Sequence, residues 1–361
     1  MPGRRHRESS TVKTIYIIPI EPIDQRYTKQ WYDNIPKLLD GKGYQVVTVD
    51  GDQPQTGTTT GAFLDFAVTN QYKASQAQRV AEMFTAGKIQ AGDKFLVTDA
   101  WNFVITAIRY MSDLLDIPVE IHGIWHAGAY DPTDILGMKM SKPWPWHQER
   151  AWYHACDYNY YATNFHRRMF LHNLDIPDAF HSKAIRSGQP HEYIIPEVEK
   201  YCQKERNGRI MWPHRLNSDK QPDIIRDIAT EMPVTITQGM DLPKDEYYRL
   251  LGSASVVFSC SLHENLGISQ MEGVLAGALP IVPDRASYSE MYPDVFKYPA
   301  EWTSNWHSYN QYREYMLGFI RERIDNYDRY LPALMECKNK LISDYLNANI
   351  MISKLTGKHS D

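Results

Sequence analysis

The chain has 361 residues, of which 43% are hydrophobic, 12% aromatic and 23% charged, and its net charge is −5. That length suits two domains better than one, and the composition is that of an ordinary globular protein. The acidic balance, with a pI of about 6.2, argues against a protein that coats nucleic acid, but it leaves room for a local basic cleft on an acidic body.

Residues 1–12 carry Arg4, Arg5, His6 and Arg7 with no apolar run behind them. They read as a basic disordered arm rather than a secretory signal. No apolar run approaches the roughly 20 residues of a membrane helix, so the expected location is cytoplasmic. From there, short β-rich runs alternate with helix-period segments. Strands are predicted over residues 14–20 (TIYIIPI), 44–50, 94–99, 119–125 and 158–163. Helices are predicted between them over 31–42, 75–87, 103–115 and 146–156. Residues 166–191 are locally basic, with Arg167, Arg168, Lys183, Arg186 and four histidines (His166, His172, His181, His191). Around residues 187–206, Gly188, Pro190 and Pro196 interrupt the period.

The pattern then restarts. Strands are predicted over 209–213, 234–237, 255–260 and 279–283, and helices over 221–231, 244–251 and 267–276. Residues 311–355 are helix-rich without a strand. Strands that alternate with helices imply parallel sheets covered on both faces. The expected fold class is therefore α/β, with two Rossmann-like doubly wound domains facing a central cleft. The boundaries are 13–186, 187–310 and a helical segment 311–361. Ligands in such sheets bind beyond the carboxyl ends of the strands. The four cysteines (Cys156, Cys202, Cys260, Cys337) lack metal spacing and read as reduced buried thiols.

Three constellations carry chemistry. Ser261, His263, Glu264, Gly267, Ser269 and Glu272 follow a predicted strand and open a predicted helix. Two carboxylates with seven residues between them, one on the loop and one on the helix, can grip two parts of a polyhydroxylated ligand. The plainer reading makes Glu264 a helix cap and Glu272 a solvated charge. Arg215 and Lys220 lie on one strand-to-helix loop, where a guanidinium fork and a point ammonium can clamp a diphosphate. The plainer reading is two surface cations. Gly123, His126 and Gly128 lie at the end of a first-domain strand. There His126 would face the cleft or be a packed loop histidine.

The first two constellations resemble the retaining glycosyltransferases of the two-Rossmann, GT-B type, family 4 in particular. The resemblance runs through Ser261, Glu264, Gly267, Glu272, Gly277, Pro280 and Val282, a Glu-x7-Glu motif in its setting, and through the Arg-x4-Lys pair Arg215 and Lys220. It implies a nucleotide-sugar donor, UDP-linked, no essential cofactor and no metal. Arg215 and Lys220 would hold the diphosphate, and Glu264 would contact the transferred hexosyl or pentosyl group. Backbone N–H groups at Leu266, Gly267 and Ile268 would meet sugar or phosphate, and Glu272 the ribose. His126 would reach the sugar from the first domain, and the C-terminal helices would cross back onto that domain. The chain departs from the pattern with Asn265-Leu266 after the first glutamate, Gly273 after the second, and no glycine-rich loop after the first strand. Instead it has residues 19–28, including Asp24 and Tyr27.

The segments at residues 16–32 and 123–132 are also similar to phage-encoded glycosyltransferases that modify hydroxymethylated pyrimidines such as hydroxymethylcytosine in DNA. That similarity implies double-stranded DNA as acceptor, host cytoplasm as location, and Asp24, Tyr27, Asp99 and Trp101 on the acceptor side. The aromatics at 101, 125–130 and 144–152 can stack on sugars or extruded bases, or simply pack. Other readings are the same enzyme type acting on a saccharide, lipid or small molecule, a sugar-nucleotide epimerase of the same architecture, and a non-catalytic nucleic-acid binder. No membrane partner is expected, and the sequence leaves the oligomeric state open.

Overall fold

The computed structural model describes residues 12–24, 26–52, 64–240 and 242–357. The basic arm expected over residues 1–12 lies outside them, save Val12. The first domain runs β1 (Thr14–Ile18), α1 (Tyr27–Leu39), β2 (Gln45–Thr48), α2 (Val68–Thr85), β3 (Lys94–Val97), α3 (Val104–Leu114), β4 (Glu120–Ile124), α4 (Ile135–Lys139), α5 (Pro143–Ala155), β5 (Tyr158–Tyr161), α6 (Asn164–Asn173) and β6 (Ala184–Arg186). Its strands form one parallel sheet in the order β2-β1-β3-β4-β5-β6. All five residues of β1 are buried, which is why that strand reads as a continuous apolar run rather than an alternating one.

The second domain runs α7 (Ile194–Glu199), β7 (Ile210–Trp212), α8 (Pro222–Ile228), β8 (Val234–Ile236), α9 (Lys244–Ser253), β9 (Val256–Phe258), α10 (Ile268–Leu275), β10 (Leu279–Pro283), α11 (Tyr288–Met291) and β11 (Lys297–Tyr298). Its sheet is also parallel, in the order β8-β7-β9-β10-β11. Three helices follow: α12 (Trp306–Asp325), α13 (Tyr327–Asp344) and α14 (Asn349–Thr356). In α12 and α13, Met316, Leu317, Ile320, Leu334 and Leu341 join the second-domain core. The crossing back is made by the end of α13 and by α14. Met351, Ile352 and Leu355 of α14 pack with Ile15, Ile17, Trp31 and Ile35 of the first domain.

Several elements differ from the sequence expectation. Helix α1 starts at Tyr27, four residues earlier than predicted, and runs through Pro36. Helix α2 starts at Val68 rather than 75. Helix α6 and strand β6 form in the basic stretch 166–191, and α7 forms inside the expected break. Pro196 lies in the first turn of α7, where a missing N–H costs no helical bond. Of the four cysteines, Cys202 is exposed and only the other three are buried.

Both sheets reverse their winding direction once. The switch points are β1/β3 in the first sheet and β7/β9 in the second. A parallel sheet leaves a crevice at that point, beyond the strand carboxyl ends. The loops after β7 and β9, and those after β1 and β3, therefore border the cleft.

Candidate active site

The loop after β7 carries Pro213, His214 and Arg215, then closes through a 3₁₀ turn at Ser218–Lys220. The loop after β9 carries His263, Glu264 and Asn265 and ends at Gly267, the N-cap of α10, with φ +77°. A side chain on Gly267 would be strained at that φ, and its Cβ would come within 2.8 Å of the Tyr288 ring. Glycine is what lets the chain turn tightly enough to aim α10 at the cleft.

A cavity of about 410 Å³ opens between the domains, within the range of small-molecule sites. Its second-domain wall includes Arg215, Lys244, Tyr247, Ile268, Ser269 and Glu272, and its first-domain wall includes Tyr27 and Gln30. Arg215 is exposed to the cavity, and among the described residues it makes no ion pair. Glu272 is only 5% exposed, so it is not a solvated helix-face charge. It accepts hydrogen bonds from the Tyr247 hydroxyl at 3.0 Å and the Tyr248 hydroxyl at 3.2 Å, with Lys244 Nζ at 3.5 Å. Ile268 and Ser269 bring the first turn of α10 to the cavity, where free N–H groups and the helix dipole favour anions.

Lys220 is not a loose cation. It is buried, 3.2 Å from both Glu264 Oε2 and Asp219 Oδ2, and it donates to the His263 carbonyl at 2.8 Å. Burial would lower its pKa, but the two carboxylates hold it above the usual lysine value. Burial pushes the Glu264 carboxyl up, and Lys220, His214 and His263 more than reverse that. The other carboxylate oxygen of Glu264 accepts the Gly267 N–H at 3.0 Å. Glu264 thus holds the helix start, as the plainer reading had it, and also pairs with Lys220. Leu266 is buried behind this turn. His214 lines the cavity and accepts from Gln270 Nε2 at 3.1 Å. Burial and the nearby Lys220 push its pKa down to about 3, so it is a neutral imidazole.

Across the cleft, His126 sits at the end of β4. Its Nε2 lies 2.8 Å from the Thr98 carbonyl, which can only accept, so Nε2 carries the proton. Nδ1 then faces the Tyr27 hydroxyl and Gln189 Nε2, each at 3.4 Å. Burial keeps this imidazole neutral. Its backbone carbonyl accepts from Asn265 of the second domain at 3.0 Å. Of the four acceptor-side expectations, only Tyr27 lines the cavity. Asp24 is exposed in the turn before α1. Asp99 is buried in an ion pair with Lys73 at 2.9 Å. Trp101 donates its indole N–H to Glu149 at 3.0 Å, and burial raises the Glu149 carboxyl to about 7. Gly128 is glycine for packing: a Cβ there would lie 2.4 Å from the Tyr130 ring.

Two features escaped the sequence. Lys244 and Tyr247 occupy the cleft-facing side of α9, and only their position just beyond a strand end hints at it. Arg26, beside Tyr27, lies close enough to Arg215 that burial and that like charge lower its pKa. An interdomain ion pair joins His263 Nε2 to Asp131 at 3.0 Å, and Glu290 of α11 caps the start of α6 through the Asn164 and Phe165 N–H groups.

The chain matches no protein-family model. A tRNA-queuosine alpha-mannosyltransferase of Drosophila melanogaster is 25% identical to it over 176 residues, which is 37% of this chain and 46% of the relative. The match thus spans just under half the length of that relative. Solved structures align over nearly the whole chain. Sucrose-phosphate synthase from Thermosynechococcus elongatus gives a TM-score of 0.61 at 10% identity, covering 96% of this chain and 97% of that one. The catalytic domain of starch synthase IV from Arabidopsis thaliana, bound to ADP and acarbose, gives 0.58 at 11%, covering 97% and 100%. HepE of Anabaena, in complex with UDP and glucose, gives 0.57 at 12%, covering 96% and 98%. The chain has the GT-B fold, and in that fold it resembles the retaining glycosyltransferases of the family-4 type.

Proposed function

We propose that this protein is a retaining glycosyltransferase that moves a sugar from a nucleotide diphosphate, UDP-linked, to a hydroxyl on a modified nucleobase. The observation that carries the reading is the cleft cavity, in which Arg215, the start of α10 and the buried Glu272 face one space at a topological switch point. Arg215 meets the diphosphate, and Glu272, held by two tyrosine hydroxyls, takes the ribose hydroxyls. Lys220 and Glu264 act as a pair beside them. Lys220 adds positive charge next to the leaving group, and Glu264 orients a sugar hydroxyl while fixing the start of α10.

In the reaction, the bond from the anomeric carbon to the phosphate oxygen breaks and negative charge builds on the diphosphate. Cations placed there in advance stabilise that state more than the ground state. The acceptor oxygen bonds to the anomeric carbon on the face the phosphate leaves, and its proton passes to the departing phosphate oxygen. His126 does not itself line the cavity, but its unprotonated Nδ1 lies beside the cavity-lining Tyr27 hydroxyl and can accept a hydrogen bond from a sugar hydroxyl placed there.

Hydroxymethylcytosine in double-stranded DNA is the first acceptor reading. The partial match to a tRNA-queuosine mannosyltransferase supports a nucleobase acceptor and favours a modified tRNA base as the second. The test is incubation with a panel of nucleotide sugars, with hydroxymethylcytosine DNA, plain DNA or tRNA, followed by product mass. Transfer confined to one nucleic acid is the expected result. Donor epimerisation without acceptor, or transfer to free saccharides alone, overturns the proposal.

A further inference from the structure

After β4 the chain makes an exposed excursion over residues 132–142 that continues into the first turns of α5, before the rest of α5 returns it to the core. Trp144 is 60% exposed, Met138 59% and Trp146 40%. Lys139, Lys142 and His147 alternate with them and are exposed. Among the described residues neither lysine has a carboxylate partner. Two exposed tryptophans within three residues of each other, interleaved with cations, mark a contact surface.

The excursion is anchored at the cleft rim. The Trp146 indole N–H donates to the Ala129 carbonyl at 2.9 Å, three residues beyond His126. Glu149 accepts from the Ala129 and Tyr130 N–H groups. Asp131, at the base, reaches His263 beside Glu264. Pro143 and Pro145 stiffen the stretch that presents Trp144. The aromatic planes and the two cations are therefore carried on a first-domain segment whose base contacts the second-domain glutamate loop.

We propose that residues 138–147 are a docking platform for unstacked nucleotides flanking the acceptor base, with Trp144 as the stacking plane and Lys139 and Lys142 on the backbone phosphates. The inference rests on the nucleobase-acceptor reading and deepens it. Aromatic planes interleaved with unpaired lysines match a nucleic-acid strand, whose bases stack and whose phosphates are anionic. A bilayer-seeking surface wants a long apolar helix face; α4 has five residues, and the large apolar side chains α5 exposes are only Trp144 and Trp146 in its first turn, with Trp152 and Tyr153 buried.

The test compares the full chain with Trp144→Ala and with Lys139→Ala/Lys142→Ala. It reads anisotropy of labelled oligothymidylate, cosedimentation with phosphatidylcholine–phosphatidylglycerol vesicles, and hydrolysis of the nucleotide sugar without acceptor. Loss of one stacking plane should weaken oligonucleotide binding roughly ten-fold. Loss of both lysines should lower the slope of log affinity on log salt by about two. Donor hydrolysis should be unchanged in both variants. Variants that bind the oligonucleotide as the parent does overturn the platform and leave the nucleobase reading standing. Vesicle binding that depends on Trp144, without oligonucleotide binding, overturns both.

Discussion

Arg215 and Lys220 share one loop yet face different surroundings. Arg215 is open to the cavity, whereas Lys220 is locked against Glu264. Their substitutions should therefore fail differently. Arg215→Ala should cut kcat/KM for the nucleotide sugar by roughly a hundred-fold or more, because a charge-assisted bidentate contact is lost at the developing charge, while the melting temperature stays level. Lys220→Met should also lose transfer, but it leaves the half-buried Glu264 carboxylate without its paired ammonium. A stability loss of about 2–3 kcal/mol is expected on chemical denaturation. Equal melting temperatures for the two variants would refute this division. The residue types and spacing of Arg215, Lys220, Glu264 and Glu272 were legible in the sequence. Which of them pair was not, because pairing depends on the separation of two loops that meet only in the folded sheet. Lys244 and Tyr247 were missed for a similar reason: the polar side of an amphipathic helix does not announce whether it faces solvent or a cleft.

At the scale of elements, the central strands were readable because β1, β3 and β10 are covered on both faces and so must be apolar throughout. Helix starts were less readable. Helix α1 begins at Tyr27 after Arg26, whose side chain makes no capping hydrogen bond, and α7 is built around a proline that a linear reading takes as a breaker. The start of α10 is the most sensitive of these ends. Gly267→Ala should cost about 1–2 kcal/mol from the positive φ alone, and the contact with Tyr288 adds to it. Because Ile268 and Ser269 then shift, KM for the donor should rise together with the fall in melting temperature. A variant that melts earlier but keeps its KM would mean that the turn serves stability only.

For the whole molecule, the buried His263–Asp131 pair ties the second-domain glutamate loop to the first-domain rim. Burial opposes the charge on His263, but Asp131 holds its pKa above 6.5. Burial likewise opposes the charge on Asp131, and His263 with Thr133 holds it below 3.8. The raised histidine contributes stability that is full below 6.5 and lost as pH rises through its folded value. The depressed aspartate contributes stability that is present above 3.8 and lost as pH falls through its folded value. The link is thus firmest in mildly acidic solution and loosens as pH rises through the raised histidine value, with Glu264 and Lys220 the other charges facing His263. Asp131→Asn should flatten the pH dependence of melting across that range; an unchanged profile would show that the pair carries no coupling.

The last helix raises a matter of timing. The face of the first sheet that holds Ile15 and Ile17, beside Trp31 of α1, is closed by Met351, Ile352 and Leu355, more than three hundred residues later in the chain. During synthesis β1 must wait, with that side covered only in part by α1, until α14 has been made. Arrested chains ending before α14 should therefore stay open to protease within the first domain, and emergence of α14 should close it. The second domain, whose core draws on α12 and α13 alone among the closing helices, should resist protease before the first does, reversing the order in which the two were translated.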